Sequence, residues 1–177
     1  MRAGSSGDHP EPDFALADGF RDAMSLLAGT VAVITAGGGE HRRGLTATAV
    51  CSVAVQPPTM LVCVNRYGEA HRAISEAASY CVNLLSEADQ PVADAFAGKS
   101  GRAGAEKFSG AEWVDMPSGA PALASAMVSL DCEVVEALEA HTHTVFFGEV
   151  RGIRQGKGVA PLLHFGRRYR NLSLPQG

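Results

Sequence analysis

Four short segments concentrate the side chains that could do chemistry. The first is Thr46, Thr48 and Ser52, three hydroxyls at even spacing. On a strand they share one face, which is either a solvated strand face or a polar wall for a planar heteroaromatic ligand. The second is Asn65–Arg66–Tyr67–Gly68–Glu69–Ala70–His71–Arg72. It follows an apolar run and opens a helical one, so free N–H groups and three basic side chains would face an anion such as a phosphate. An ordinary solvated turn would read the same way. The third is Glu139–Ala140–His141–Thr142–His143–Thr144. Its two histidines sit at i, i+2, but no third ligand lies near them, which favours a hydrogen-bonding His143 in a cleft over a metal site. The fourth is Pro161–Leu162–Leu163–His164–Phe165–Gly166–Arg167–Arg168–Tyr169–Arg170, a basic surface or an anion clamp with an aromatic lid.

The elements that must hold these segments can be read from the apolar period. Phe20, Met24 and Leu27 mark one face of a short helix from Asp18, ended by Gly29. Thr30–Thr35 is β-branched and predicts a strand. Gly37–Gly38–Gly39 predicts a turn, and with adjacent glycines and no helix after them it is no dinucleotide fingerprint. Gly44–Val55 predicts one long strand, with Leu45, Ala47, Ala49, Cys51, Val53 and Val55 on a core face, stopped by Pro57–Pro58. Strands are expected at 60–65, 80–85, 126–136, 142–151 and 162–165, and a helix at 69–78. Ser86 with Asp89 resembles a capping box opening a helix toward Phe96. Residues 98–121, rich in glycine and without period, predict a functional or mobile loop. Many short strands without βαβ alternation predict a mainly β fold with some α, a closed barrel with crossover helices.

Composition narrows the function classes. A chain of 177 residues predicts one domain, here 18–177, after a polar, Gly- and Pro-containing leader at 1–17. Hydrophobic residues at 46% and charged ones at 19% exclude a wholly disordered chain. A net charge of -4 argues against nucleic-acid binding. The leader has no apolar signal core, and no apolar run nears the ~20 residues of a membrane span, so a cytoplasmic location is expected. The four cysteines show no CxxC spacing and lie in apolar runs, as buried reduced thiols do.

Taken together, GLTATAVCSVAVQPPTMLVCVNR (Gly44–Arg66), YCVNLLS (Tyr80–Ser86), DAFAG (Asp94–Gly98), EKFSG (Glu106–Gly110), Trp113, HTHTVFFGEV (His141–Val150) and PLLHFGRRYRNL (Pro161–Leu172) resemble the flavin reductase-like family, in order, over about residues 20–172. The resemblance implies an FMN-binding split β-barrel that works as a homodimer. It implies a flavin reductase that transfers a hydride from NADH, less often NADPH, to FAD or FMN and supplies a flavin-dependent monooxygenase. Carried over, Thr46, Ala47 and Thr48 face the isoalloxazine edge. Ser52, Asn65, Arg66, Ala70 and His71 hold the ribityl chain and phosphate. Phe96, Ala97 and Gly98, with Lys107 and Phe108, border the cofactor. His143, the catalytic candidate, stands near the nicotinamide, and Arg168 and Tyr169 close the site. Gly68 stands where many relatives carry Ser.

Such a mechanism needs no protein nucleophile or carboxylate pair, and the sequence offers neither motif. Release of reduced flavin to a partner predicts a flavin affinity near micromolar, about -8 kcal/mol. The alternative in the same barrel is a flavin-binding or electron-relay protein without turnover, in which His143 and Arg168–Tyr169 would have no task.

Overall fold

The structure, a computed structural model, describes residues 14–157 and 160–172. Most of the expected leader, residues 1–13, lies outside them. Helix α1 (Phe14–Ser25) begins inside the leader's last residues, earlier than the period predicts. Strands β1 (Gly29–Thr30) and β2 (Ala32–Ala36) split the run expected as one strand at Val31. There follow β3 (Arg43–Ala47), β4 (Val50–Val55), β5 (Pro58–Asn65), α2 (Glu69–Ala77), β6 (Ser79–Leu84) and α3 (Gln90–Phe96). The chain continues through β7 (Trp113–Asp115), β8 (Pro121–Leu123), β9 (Val128–Ala140), β10 (His143–Gln155), β11 (Leu162–Phe165) and β12 (Arg168–Asn171).

Seven strands form an antiparallel sheet in the order β3-β2-β6-β9-β10-β5-β4. Its two edges, β3 and β4, are consecutive in the chain and joined by Thr48 and Ala49 alone. Extended chain covers about 3.3–3.6 Å per residue, so Ala47 and Val50 stand within ~11 Å of each other. The sheet must therefore curl until its edges nearly meet. No ladder joins them, so the closed barrel expected from the sequence is replaced by a curled sheet that stays open between β3 and β4. A second sheet, β1-β11-β12, and the β7-β8 hairpin complete the fold.

The curl encloses one core, centred on Ile34, Val62, Val64, Ile74, Tyr80 and Phe146. Val33, Leu85, Phe96, Phe108, Leu123 and Leu162 form a second core. Strand β2 is buried on both faces, since Ala32 and Ile34 enter the first core and Val33 the second. Close packing shows at Gly148, where an added Cβ would lie 2.6 Å from Tyr80 Oη.

Two further expectations give way to the structure. The strand read as Gly44–Val55 breaks at Thr48–Ala49, and its second half lies at the sheet edge. There Cys51, Val53 and Val55 are exposed, Val55 at 90%, whereas Leu45 and Ala47 do pack on the first core. Alternation tells which residues share a face but not whether anything covers it. The stretch 98–121 is also structured: it contains a 3-10 turn at Gly104–Phe108 and the β7-β8 hairpin. Phe96, Phe108 and Trp113 meet there, with ring centroids 4.8 to 5.5 Å apart. Trp113 Nε1 donates to the Phe108 carbonyl at 3.0 Å. The Ser86–Asp89 capping box forms as expected, with the Ser86 hydroxyl donating to Asp89 Oδ2 at 2.6 Å.

Candidate functional site

Three clefts lie along the β3–β4 path. The first, about 590 Å³, is floored by Val31 and by Thr46, Ala47 and Thr48. Thr46 Oγ1 donates to the Ala93 carbonyl at 2.7 Å, which ties β3 to the last turn of α3. The opposite wall holds Ala97 and Lys99 from the α3 end, and His164, Arg167, Arg168 and Tyr169 from the terminal hairpin. Lys99 Nζ donates to Asp94 Oδ1 at 2.7 Å and lies 4.7 Å over the Tyr169 ring. That bond holds the ammonium above its ordinary value, and burial raises the Tyr169 phenol. Arg167 pairs with Asp22 of α1.

The second cleft, about 520 Å³, opens where β3 passes the start of α2. Gly44 and Leu45 face Asn65, Gly68, Glu69 and Ala70 there, with Lys107 across from them. Gly44 is required by close approach: a Cβ would meet Phe96 Cε1 at 2.7 Å and the Ile34 carbonyl at 2.8 Å. Asn65 shapes the helix entry. Its Oδ1 accepts from the Tyr67 amide at 2.9 Å and its carbonyl from the Gly68 amide at 3.2 Å. Gly68, the N-cap, has no side chain to bond the first amides of α2. The third cleft, about 640 Å³, lies between α1 and β4 and includes Ser52; it shares Thr48 and His164 with the first.

The structure thus gathers Thr46, Ala47, Thr48, Ala97, Arg168 and Tyr169 in one cleft, Asn65, Ala70 and Lys107 in a second, and Ser52 in a third. It places the other candidates elsewhere. Arg66 Nη2 pairs with Glu139 at 3.0 Å, and His71 Nε2 is 2.9 Å from Thr144 Oγ1 with its ring against Phe146. Neither is a lining residue of these clefts. Phe96 and Phe108 are buried and back the clefts from the second core. Gly98 follows α3 at φ 81°. His143 starts β10 opposite Asn65, with its Nδ1 2.9 Å from Thr142 Oγ1. His141 sits in the hairpin turn at φ 52°, so the two histidines are not the strand pair their spacing suggested.

Lys99 and Gln90 line the first cleft from outside the four candidate segments. Lys99 falls in the stretch without period, and its one sequence signal, Asp94 five residues earlier, has meaning only once the chain turns after α3.

A family model described as flavin reductase like domain matches residues 24–173. The chain belongs to the flavin reductase-like family. Its similarity to relatives extends along most of their length. One is the FMN reductase (NADH) RutF of Pseudomonas syringae pv. syringae, 46% identical over 153 residues, covering 86% of this chain and 85% of that protein. Among solved structures, the NADH:FAD oxidoreductase SgcE6 of Streptomyces globisporus C-1027, in complex with NAD and FAD fragments, aligns with a TM-score of 0.83 at 27% identity. That alignment covers 96% of this chain and all of the other, 100%. The styrene monooxygenase flavin reductase of Pseudomonas putida S12 aligns with a TM-score of 0.77 at 28% identity, over 89% and 99% of the two chains.

Proposed function

We propose that this flavin reductase-like chain is an NADH:flavin oxidoreductase that reduces FMN or FAD and releases it to a separate flavin-dependent monooxygenase. One observation carries the reading: β3 runs from a cleft with uncapped helix amides and a lysine into a cleft floored by Thr46–Thr48 and walled by Lys99, Arg168 and Tyr169. A flavin has that polarity, an anionic phosphate at one end and a planar ring with hydrogen-bonding edges at the other.

The residues present fit such a group. The first amides of α2 and Lys107 would hold the phosphate, with Asn65 and Ala70 beside the ribityl chain. The backbone and hydroxyls of Thr46–Ala47–Thr48, with Ser52 beyond, would border the ring edge. The nucleotides supply the chemistry, hydride transfer from nicotinamide to isoalloxazine. The protein has to hold the two rings at near-attack distance and keep water out. Tyr169 and Arg168, on the wall opposite the Thr46–Thr48 floor, would cover the nicotinamide; His143, which starts β10 opposite Asn65 and lines none of the three clefts, would reach it as a hydrogen-bond donor.

The curled sheet is read as the split barrel of the family, and the face formed by β4 and α1 as the contact with a second copy. Val53, Val55, Phe20 and Leu27 stand exposed on these elements. Four free cysteines accord with work in the cytoplasm.

The test is anaerobic stopped-flow mixing of protein and flavin with NADH or NADPH, followed by flavin absorbance. Bleaching faster than in the protein-free control supports the reductase, and the better donor and flavin identify the pair. Flavin binding without bleaching would instead support the carrier alternative.

A further inference from the structure

Tyr67 belongs to the Asn65–Arg72 segment but is not among the residues assigned to the flavin. It stands on the lip of the second cleft with its side chain almost wholly in water, 85% exposed. Its backbone is nevertheless fixed, because the Asn65 side chain accepts from its amide at 2.9 Å and the next amide returns to the Asn65 carbonyl. A ring held out on a rigid turn loses little freedom when something flat lies on it, and it gains the burial of its face. The other aromatic rings behind this cleft cannot serve. Phe96 and Phe108 are buried against each other and Trp113, and Phe146 is buried under His71. Among the described residues that line the cleft, Tyr67 is the one aromatic side chain.

We propose that Tyr67 is the stacking platform for the adenine ring of FAD, and so the residue that sets the balance between FAD and FMN. The inference rests on the flavin reductase reading and on the phosphate lying between Lys107 and the start of α2. With a diphosphate anchored there, the adenosine half of FAD must leave the cleft over its lip, where Tyr67 stands. FMN ends at its phosphate and would not reach the ring. Base–aromatic stacking tolerates an exposed site, because every base has a flat π-face to offer.

The test measures equilibrium binding of FAD and of FMN to the full chain and its Tyr67→Ala and Tyr67→Trp variants, with NADH KM and sedimentation in parallel. The expected result is an FAD Kd raised about tenfold in Tyr67→Ala, restored in Tyr67→Trp, with the FMN Kd unchanged. Wild-type protein should bind FAD at least as tightly as FMN. Equal changes for both flavins, or none, would overturn the assignment while leaving the reductase reading intact. A raised NADH KM alone would give the ring to the nicotinamide dinucleotide, and a loss of self-association would give it to a contact between copies; either overturns it. Wild-type protein that binds neither flavin would remove the reductase reading and this inference together.

Discussion

The ammonium of Lys99 lies 4.7 Å above the centre of the Tyr169 ring while its Nζ is 2.7 Å from Asp94. The three residues come from the last turn of α3, the loop after it and the strand β12, so one side chain links the α3 end to the terminal hairpin in the wall of the first cleft. Because Lys99 is exposed, the clasp acts on the position of Tyr169 and contributes little to folding.

Lys99→Met keeps the alkyl stem and removes the charge from both partners. The expected outcome is a severalfold rise in NADH KM with an unchanged melting temperature, read by steady-state kinetics and calorimetry. A large fall in melting temperature would make Lys99 a structural residue.

His143→Ala tests the nicotinamide side. Loss of one hydrogen bond to the donor predicts up to about a tenfold loss in kcat/KM for NADH, with flavin Kd unchanged. An equal loss of flavin affinity in a binding titration would move His143 to the flavin's side of the site.

Asn83 is fully buried and bonds five groups, among them the Cys81 thiol, which donates to its Oδ1 at 3.7 Å. Its Nδ2 donates to the Val33 carbonyl at 3.0 Å and to Thr35 Oγ1 at 3.3 Å, and its Oδ1 accepts from the Leu123 amide and Ser129 Oγ, each at 2.8 Å. It thus binds the β7-β8 hairpin to the main sheet. Asn83→Leu conserves size but strands these partners, and should cost about 3 kcal/mol in urea unfolding. A cost under ~1 kcal/mol would mean that water replaces the amide.

Alkaline pH should destabilise the fold through its buried thiols. Burial, then the nearby Asp131 carboxylate, raises Cys132 from an ordinary 9.0 to about 12, and burial raises Cys81 and the Tyr80 phenol as well. The folded state therefore keeps protons that the unfolded chain releases. Stability is complete below pH 9.0 and falls as pH rises toward 12. Cys132→Ala should make that fall shallower in unfolding curves at pH 8 to 11, taken as about the accessible window. An identical slope would exclude Cys132 as a contributor.

Local order was legible in the sequence wherever a short-range physical rule decides it. The strand at Leu162–Phe165, helix α2 within one residue and the Ser86–Asp89 capping box depend on side-chain period and on bonds a few residues long. The ordered motifs from Gly44 to Leu172 likewise carried the family, since they are a property of the string. What the string could not decide is which surfaces meet. The exposure of Val53 and Val55 follows from the place of β4 at a sheet edge, set by strands more than eighty residues away. The order of residues 98–121 comes from three aromatic rings closing on one another. Lys99 on Tyr169, Arg66 on Glu139 and His71 on Thr144 are pairings across elements, decided by strand order and curl. Sequence alone fixes periodicity and chemistry in reach of a few bonds; only the folded chain decides which of two chemically equal side chains faces a cleft and which faces a neighbour.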